Sequence, residues 1–436
     1  MKISEQVLQL IWKYRLFKQT QIFTHSGKPL LVKRVGQHNK NEGPDFENSL
    51  VEIDGVDWAG NVEIHIQSSD WDRHQHQHHA GYNSVVLHVV FDHDTEVYRQ
   101  DGTIPEVLVL KPLIAQSTWK RYRDLRNNSF RIACESLIHT VSPFYIHQWL
   151  SRVLVERLAS KSSAVLQILK DTQGDWERTS FIVLARSFGL NVNGDAFEQF
   201  ARSVPLTLVS KYADRPHCLE ALMFGQAGML EDESLEDEYY QTLRTEYQYL
   251  RAIHKLKPIA QKTWKFLRMR PHNFPTVRLA QFIALIRAVP QLFSKIIETE
   301  NVFLWRSRFD TLKVNPYWEE HFHFRKPAIS KRRIALSKSM TDLIIVNAIV
   351  QILFAYGRYT DDESYTSRAI DFLEELPSEN NGLVRYYRSF GIELKSAADT
   401  QAIKQLNTIY CENKRCLDCE VGVQLLKPTE LSKEIR

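Results

Sequence analysis

A mixed α/β N-terminal domain followed by a large all-α region is the fold class this chain predicts, and a change of hydrophobic period carries that reading. Behind one helical stretch at 3–17, short segments of alternating apolar and polar residues recur between 22 and 110, the period of half-buried strands. From about Ser117 onward the spacing becomes three and four, that of helices, nearly to the end. A chain of 436 residues exceeds one core. The division is placed at 1–115 for the sheet domain and 116–436 for the helical one, as one domain or two subdomains.

The elements follow in order. Val7, Leu8, Leu10, Ile11 and Leu16 form one helical stripe. Strands are expected at 22–23, 30–32, 49–54, 61–67, 85–91 and 106–110, with a turn-rich stretch at 36–43 and a hairpin turn at Asp54-Gly55. Helices are expected at 143–169, 176–188, 235–254, 277–297, 340–355 and 398–410. Ser142-Pro143 is a helix start, and Gly189, Gly225, Gly357 and Gly391 are expected stops. No fixed-period repeat supports a solenoid.

Composition is globular: 43% hydrophobic and 25% charged, with too little Gly and Pro for a disordered chain. The N-terminus lacks an uninterrupted apolar signal region, and the longest apolar run, 343–356, is short for a bilayer. These points predict a cytoplasmic protein with no membrane partner. Five cysteines make no disulfide framework. Residues 1–112 hold 11 Lys and Arg against 15 Asp and Glu, and the remainder 45 against 37. An acidic part joined to a basic one suits a polyanionic substrate.

The chemistry centres on Glu42-Gly43-Pro44-Asp45-Phe46 and, further on, Glu63-Ile64-His65. A hairpin turned at Asp54-Gly55 brings Asp45, at one end of the first strand, toward Glu63 inside the second. Period 2 then sets Glu63, His65 and Gln67 on one face and Val62, Ile64 and Ile66 on the other. Two carboxylates beside an imidazole suit a hard divalent cation, Mg²⁺ or Mn²⁺, which can polarise a phosphoryl oxygen and activate water.

Pro44-Asp45 with Glu63-Ile64-His65 resembles the PD-(D/E)XK nucleases, whose core is the restriction-endonuclease-like mixed sheet. The resemblance implies a metal-dependent nuclease acting on nucleic acid, most readily DNA, with Asp45, Glu63 and the Ile64 carbonyl holding the metal. His65 stands where that superfamily has lysine, as base or extra ligand, and Gln67 steadies the site. Glu42 and Glu5 are further carboxylates. The same change also fits a catalytically inactive nucleic-acid-binding or scaffold protein. More widely, GPDFENSLVEIDG, WAGNVEIHIQSSDW, VVLHVVFDHD, FGQAGML, RPHNFPTVRLAQ and YCENKRCLDC resemble a bacterial protein family of unknown function along nearly the whole chain.

Three other groups stand out. Seven of sixteen histidines lie between 65 and 93. If 74–78 is a strand, His74, His76 and His78 share a face, an alternative site for a Zn or Mn hydrolase. His79 reads as solvated. His88 interrupts an apolar strand and is buried or turned to the site, and Asp70 with His74 can reach the same pocket. Cys411-x4-Cys416-x2-Cys419 reads as a metal site whose fourth ligand is Cys134, with Cys218 or a histidine second. It is similar to the iron–sulfur staple of some PD-(D/E)XK helicase-nucleases, at different spacing, so Zn stays open beside an iron–sulfur cluster. Finally, Trp264-Lys265-Phe266-Leu267-Arg268-Met269-Arg270, continuing to Arg278, interleaves cations with aromatics as nucleic-acid contacts do. Lys326, Lys331, Arg332 and Arg333 form a second basic set.

Overall fold

The computed structural model of the chain describes residues 3–128, 130–328, 330–331 and 334–427, so that Arg332 and Arg333 lie outside the described residues. The chain divides into two compact units: Met1–Leu150 with Phe390–Ile392 and Leu406–Arg436, and Ser151–Ser389 with Glu393–Gln405. The first unit thus extends past 115 and takes back the end of the chain. Side-chain bonds within it show why. The Arg121 guanidinium donates to the carbonyls of Leu425 and Lys427, and Trp149 packs edge-on against Tyr410.

Helix α1 (Glu5–Lys13) buries Val7, Leu8, Leu10, Ile11 and Trp12, the stripe its spacing predicts. Strands β1 (Ile22–Phe23), β2 (Pro29–Arg34), β3 (Gln37–His38), β4 (Phe46–Ile53) and β5 (Val56–Gln67) follow, then helix α2 (Asp70–Arg73), β6 (Val85–Asp92), β7 (Glu106–Val109) and helix α3 (Gln116–Asn127). They make one mixed sheet in the order β1-β2-β4-β5-β6-β7, with β3 beside β4. Pairing is antiparallel as far as β5 and parallel for β5–β6 and β6–β7. Asp54 and Gly55, both at positive φ, close the β4–β5 hairpin, whose type I′ geometry matches strand twist. A parallel partner needs a crossover. Here it is the segment 68–84, which carries α2 and two 3-10 turns, His76–His78 and Ala80–Ser84.

The second unit is helical apart from a small sheet of His321–His323 and Lys326–Pro327. The expected helix over 277–297 breaks at Gln291, which takes a left-handed φ, into Pro275–Ala288 and Leu292–Glu298, bent by 71°. The helix expected at 340–355 runs from Lys338 to Thr360 around a π-helical stretch, Ile345–Ile349. By length and composition it could cross a membrane, and 78% of its most apolar window is buried within the protein.

Gly225 and Gly357 do not end helices but lie inside them. A Cβ at Gly225 would overlap the ring of Tyr247, and one at Gly357 would press on Thr366 and the Asp362 carbonyl. The missing side chain allows close packing rather than an unusual φ. Gly225→Ala should therefore cost about 1–3 kcal/mol through overpacking. Urea unfolding checks this, and an unchanged midpoint would mean that Tyr247 moves aside freely.

Candidate metal centre

The β4–β5 ladder pairs Phe46 with Val62, which sets Asp45 across from Glu63. The register slips by one between Phe46 and Ser49, and Asn48 takes a left-handed φ there. Such a bulge re-aims the residues beside it. Each carboxylate is then held from the other strand: the Asp45 N–H donates to Glu63 Oε2 at 3.0 Å, and the Ile64 N–H donates to Asp45 Oδ2 at 3.1 Å. Gln9 of α1 donates to Asp45 Oδ1 at 2.7 Å. Glu5, one turn earlier on the same helix face, is also half-buried.

The crossover closes over this pair. Ser68 and Ser69 bond Asp94, Trp71 is fully buried and donates to the Tyr98 carbonyl, and Val85 and Val97 pack on it. Gln75 adopts a left-handed φ between α2 and the next 3-10 turn, so His76 turns inward and is buried while His74, still exposed, reaches the His65 ring. One ring nitrogen from each of His65, His74 and His76 lies within 4.8 Å of the others. His65 Nε2 is 3.1 Å from His74 Nδ1, and His65 Nδ1 is 2.8 Å from His88 Nε2. His76 stacks on Tyr82 at 3.8 Å between centroids. Its buried Nε2 faces Glu63 Oε1 at 3.2 Å yet makes no hydrogen bond.

Protonation in the metal-free state follows from burial. It pushes Asp45 up to about 7, helped by the charge of Glu63, and Glu63 up to about 8. Glu5 is also raised, by burial first. Burial holds His65 far below the imidazole range, with His88, His76 and His74 adding to it, and takes His76 down to about 4 and His88 to about 3. The Glu63–His65 and Glu63–His76 approaches, at 3.5 and 3.2 Å, are therefore contacts of neutral groups rather than ion pairs at neutral pH. Two largely buried carboxyls with raised pKa values, the neutral rings of His65 and His76, the nearby His74 and an unpaired buried nitrogen fit a divalent cation: the two buried rings already present lone pairs, and the carboxyls need only release protons.

Several expected site residues fall elsewhere. The Gln67 side chain is exposed where β5 leaves the cover of the crossover, and its backbone N–H bonds Asp70. Asp70 is spent on that bond and on Arg73. Glu42 is exposed in a turn, with its carbonyl accepting from Asn39. His74, His76 and His78 do not share a strand, and His78 and His79 are exposed on the turn. Ile64 directs its N–H at Asp45, and a strand residue's C=O leaves on the same edge, so its carbonyl remains on the carboxylate side. His88 is buried and braces His65. Arg268 and Arg270 are exposed in a turn of the second unit. Arg278 is not: it is buried, bonded to Gln281 and Asn273, and pulled down to about 10 by burial. Cys134, Cys411, Cys416 and Cys419 belong to the first unit and Cys218 to the second. Gln9 and Tyr82 are site residues that the strand motif alone does not reveal.

The shifts fix a pH dependence. A carboxyl raised in the fold stabilises it below the unfolded pKa, 3.8 for Asp and 4.5 for Glu, and that contribution is lost as pH rises through about 7 and 8. The lowered histidines act oppositely, their contribution being complete above 6.5. Between about pH 6.5 and 8 only the carboxyl effect remains. The chelated protein should thus lose melting temperature over that window. Glu63→Gln should remove most of the slope, and added Mn²⁺ should reverse it. A flat wild-type profile that Glu63→Gln leaves unchanged would overturn the assignment.

No curated protein and no solved structure matches the chain. The match to a family model described as "Protein of unknown function (DUF2851)" spans residues 5–382, and the chain belongs to that family.

Proposed function

We propose that the chain is a metal-dependent phosphodiesterase acting on nucleic acid, with its metal held by Asp45, Glu63, His65 and His76 and flanked by His74. The observation that carries this reading is the meeting of two carboxyls of raised pKa with the buried imidazoles of His65 and His76 and the exposed His74, His76 having an unpaired nitrogen. The finer likeness to PD-(D/E)XK nucleases draws support from the order of elements: a helix, an antiparallel hairpin with Asp45 and Glu63 facing each other, then a strand parallel to the second. Two imidazoles among the donors, with a third beside them, make the set softer than magnesium prefers, which favours Mn²⁺ or Zn²⁺.

When bound, such an ion lowers the pKa of a coordinated water and neutralises charge on a phosphoryl oxygen. The protein's own groups set the rest. Gln9 and the Ile64 N–H fix Asp45, and His88 fixes the His65 ring, as partners behind a ligand do. Glu5, whose raised carboxyl faces the histidines, takes the proton from the attacking water at a side-chain oxygen. A cytoplasmic location goes with this reading. The three-histidine group also favours a second reading, a Zn or Mn hydrolase with another substrate, and loss of activity would leave a binding or scaffold protein.

Cleavage of a labelled oligonucleotide with Mn²⁺ tests the proposal. Glu63→Gln and His65→Ala should each lower the rate more than about a hundredfold while the fold is kept. Glu5→Gln should lower the rate and move its pH profile with metal content unchanged. A wild type that cuts neither DNA nor RNA with any divalent ion overturns it. For the basic turn, Arg268→Ala with Arg270→Ala should weaken DNA binding and reduce the salt slope by about 2, one for each phosphate that an arginine neutralises. Unchanged binding would make these two arginines structural.

A further inference from the structure

The first unit contains a second set of metal-ligating side chains remote in sequence from the first. Cys411 ends a π-helical turn, Leu406–Cys411, Cys416 opens a 3-10 turn, and Cys419 caps the helix Glu420–Leu426. Two independent contacts bring this segment to the region around Cys134: the Arg121 bonds to the carbonyls of Leu425 and Lys427, and the packing of Trp149 on Tyr410, the neighbour of Cys411. Cys134 begins a turn of its own, its carbonyl accepting from the N–H groups of Leu137 and Ile138. The helix after Cys419 packs on the following 3-10 turn, Ile138–Thr140.

Cys419 is buried at the start of its helix. Gly422 lies so close to the Cys416 carbonyl that a Cβ would collide with it, which lets the Cys416–Cys419 turn fold tightly onto its helix. Cys411, Cys416 and Cys419 each lie near enough to Cys134 to act on it electrostatically. All four are described residues, and no three of the sulfurs reach the mutual 4.8 Å of the histidine nitrogens. A tetrahedral zinc with Zn–S of about 2.3 Å would draw them to roughly 3.8 Å of one another, and an iron–sulfur cluster would hold them further apart.

We infer that Cys134, Cys411, Cys416 and Cys419 form a tetrathiolate site for a thiophilic metal centre, Zn²⁺ or an iron–sulfur cluster, which fastens the C-terminal segment to the first unit. Binding releases the thiol protons and couples metal affinity to folding of that segment. The inference is independent of the proposed activity, because it involves none of the carboxylates or histidines of the other site.

The full-length protein, purified without chelator and without oxygen, decides it. Elemental analysis should find either about one zinc per chain or iron with acid-labile sulfide and visible cluster absorption. Cys134→Ser and Cys416→Ser should lose that metal and lower the melting temperature, whereas Cys218→Ser should change neither. Glu63→Gln with His65→Ala should retain it, which separates this centre from the histidine site. If the serine variants are insoluble, Co²⁺ added to the metal-free wild type should give a sulfur-to-cobalt charge-transfer band. Metal content that is unaffected by the serine substitutions, or a wild type with neither metal nor that band, overturns the inference.

Discussion

Everything at the candidate centre depends on one pair of reciprocal bonds, in which the Asp45 N–H meets the Glu63 carboxyl and the Ile64 N–H meets the Asp45 carboxyl. They hold two acids face to face across a central antiparallel ladder, beneath the crossover segment 68–84. In water such a pair would repel and separate. Here the bulge beside Asp45, the type I′ turn and Gln9 from α1 leave no alternative arrangement, and protons replace the missing counter-charge. A structure that constrains two carboxyls this closely, and then adds imidazoles rather than cations, is complementary to a metal ion.

The cover over this pair has its own logic. Histidines buried beside acids would be costly as charged groups, and their depressed pKa values keep them neutral instead. Their positions are set by a small hydrophobic wall. Trp71 with Val85 and Val97 anchors the crossover, Tyr82 holds the His76 ring, and Asp94 ties down Ser68 and Ser69. The apolar core of the crossover thus fixes ring planes while leaving His76 Nε2 unused. Packing supplies order, and hydrogen bonding is withheld where a ligand can take its place.

Much of this was legible in the sequence because strand periodicity and hairpin chemistry are local. Asp54-Gly55 specified the turn, the register followed, and Asp45 opposite Glu63 was implied by both. The cysteines were expected within the helical domain 116–436, whereas Cys134 and the C-terminal triplet fall in the unit that holds the sheet, because the end of the chain returns to it through bonds between residues about 300 positions apart. The failures are equally physical. Histidines at 74, 76 and 78 share a face only in a strand, a condition the sequence left open, and Gln75 at a left-handed φ makes a turn instead, with His74 and His76 beside His65 and His78 outside the group. Arg278 looked like part of a basic surface because sequence carries no burial, and only Gln281 and Asn273 explain how a guanidinium is satisfied inside a helix bundle. Gln9 was invisible because its partner is 36 positions away.

The residue that most separates this centre from the superfamily it resembles is His65. A lysine at that point brings a positive charge toward substrate and water. His65 cannot do so: it is 1% exposed, its Nδ1 is engaged by His88, and burial keeps it uncharged. What it offers is a lone pair, so under the proposed function this position would serve as a ligand and would move the site from oxygen-only chemistry toward that of softer metals. The positive charge must then come from elsewhere. Arg73 closes α2 immediately before His74, its side chain is largely exposed, and its charge is felt at His65. It is held by Asp70, which explains why that aspartate is buried beside the centre without joining it. If the proposed function holds, the roles that one lysine combines in the signature this motif resembles would be divided here between a buried imidazole and the guanidinium that Asp70 tethers.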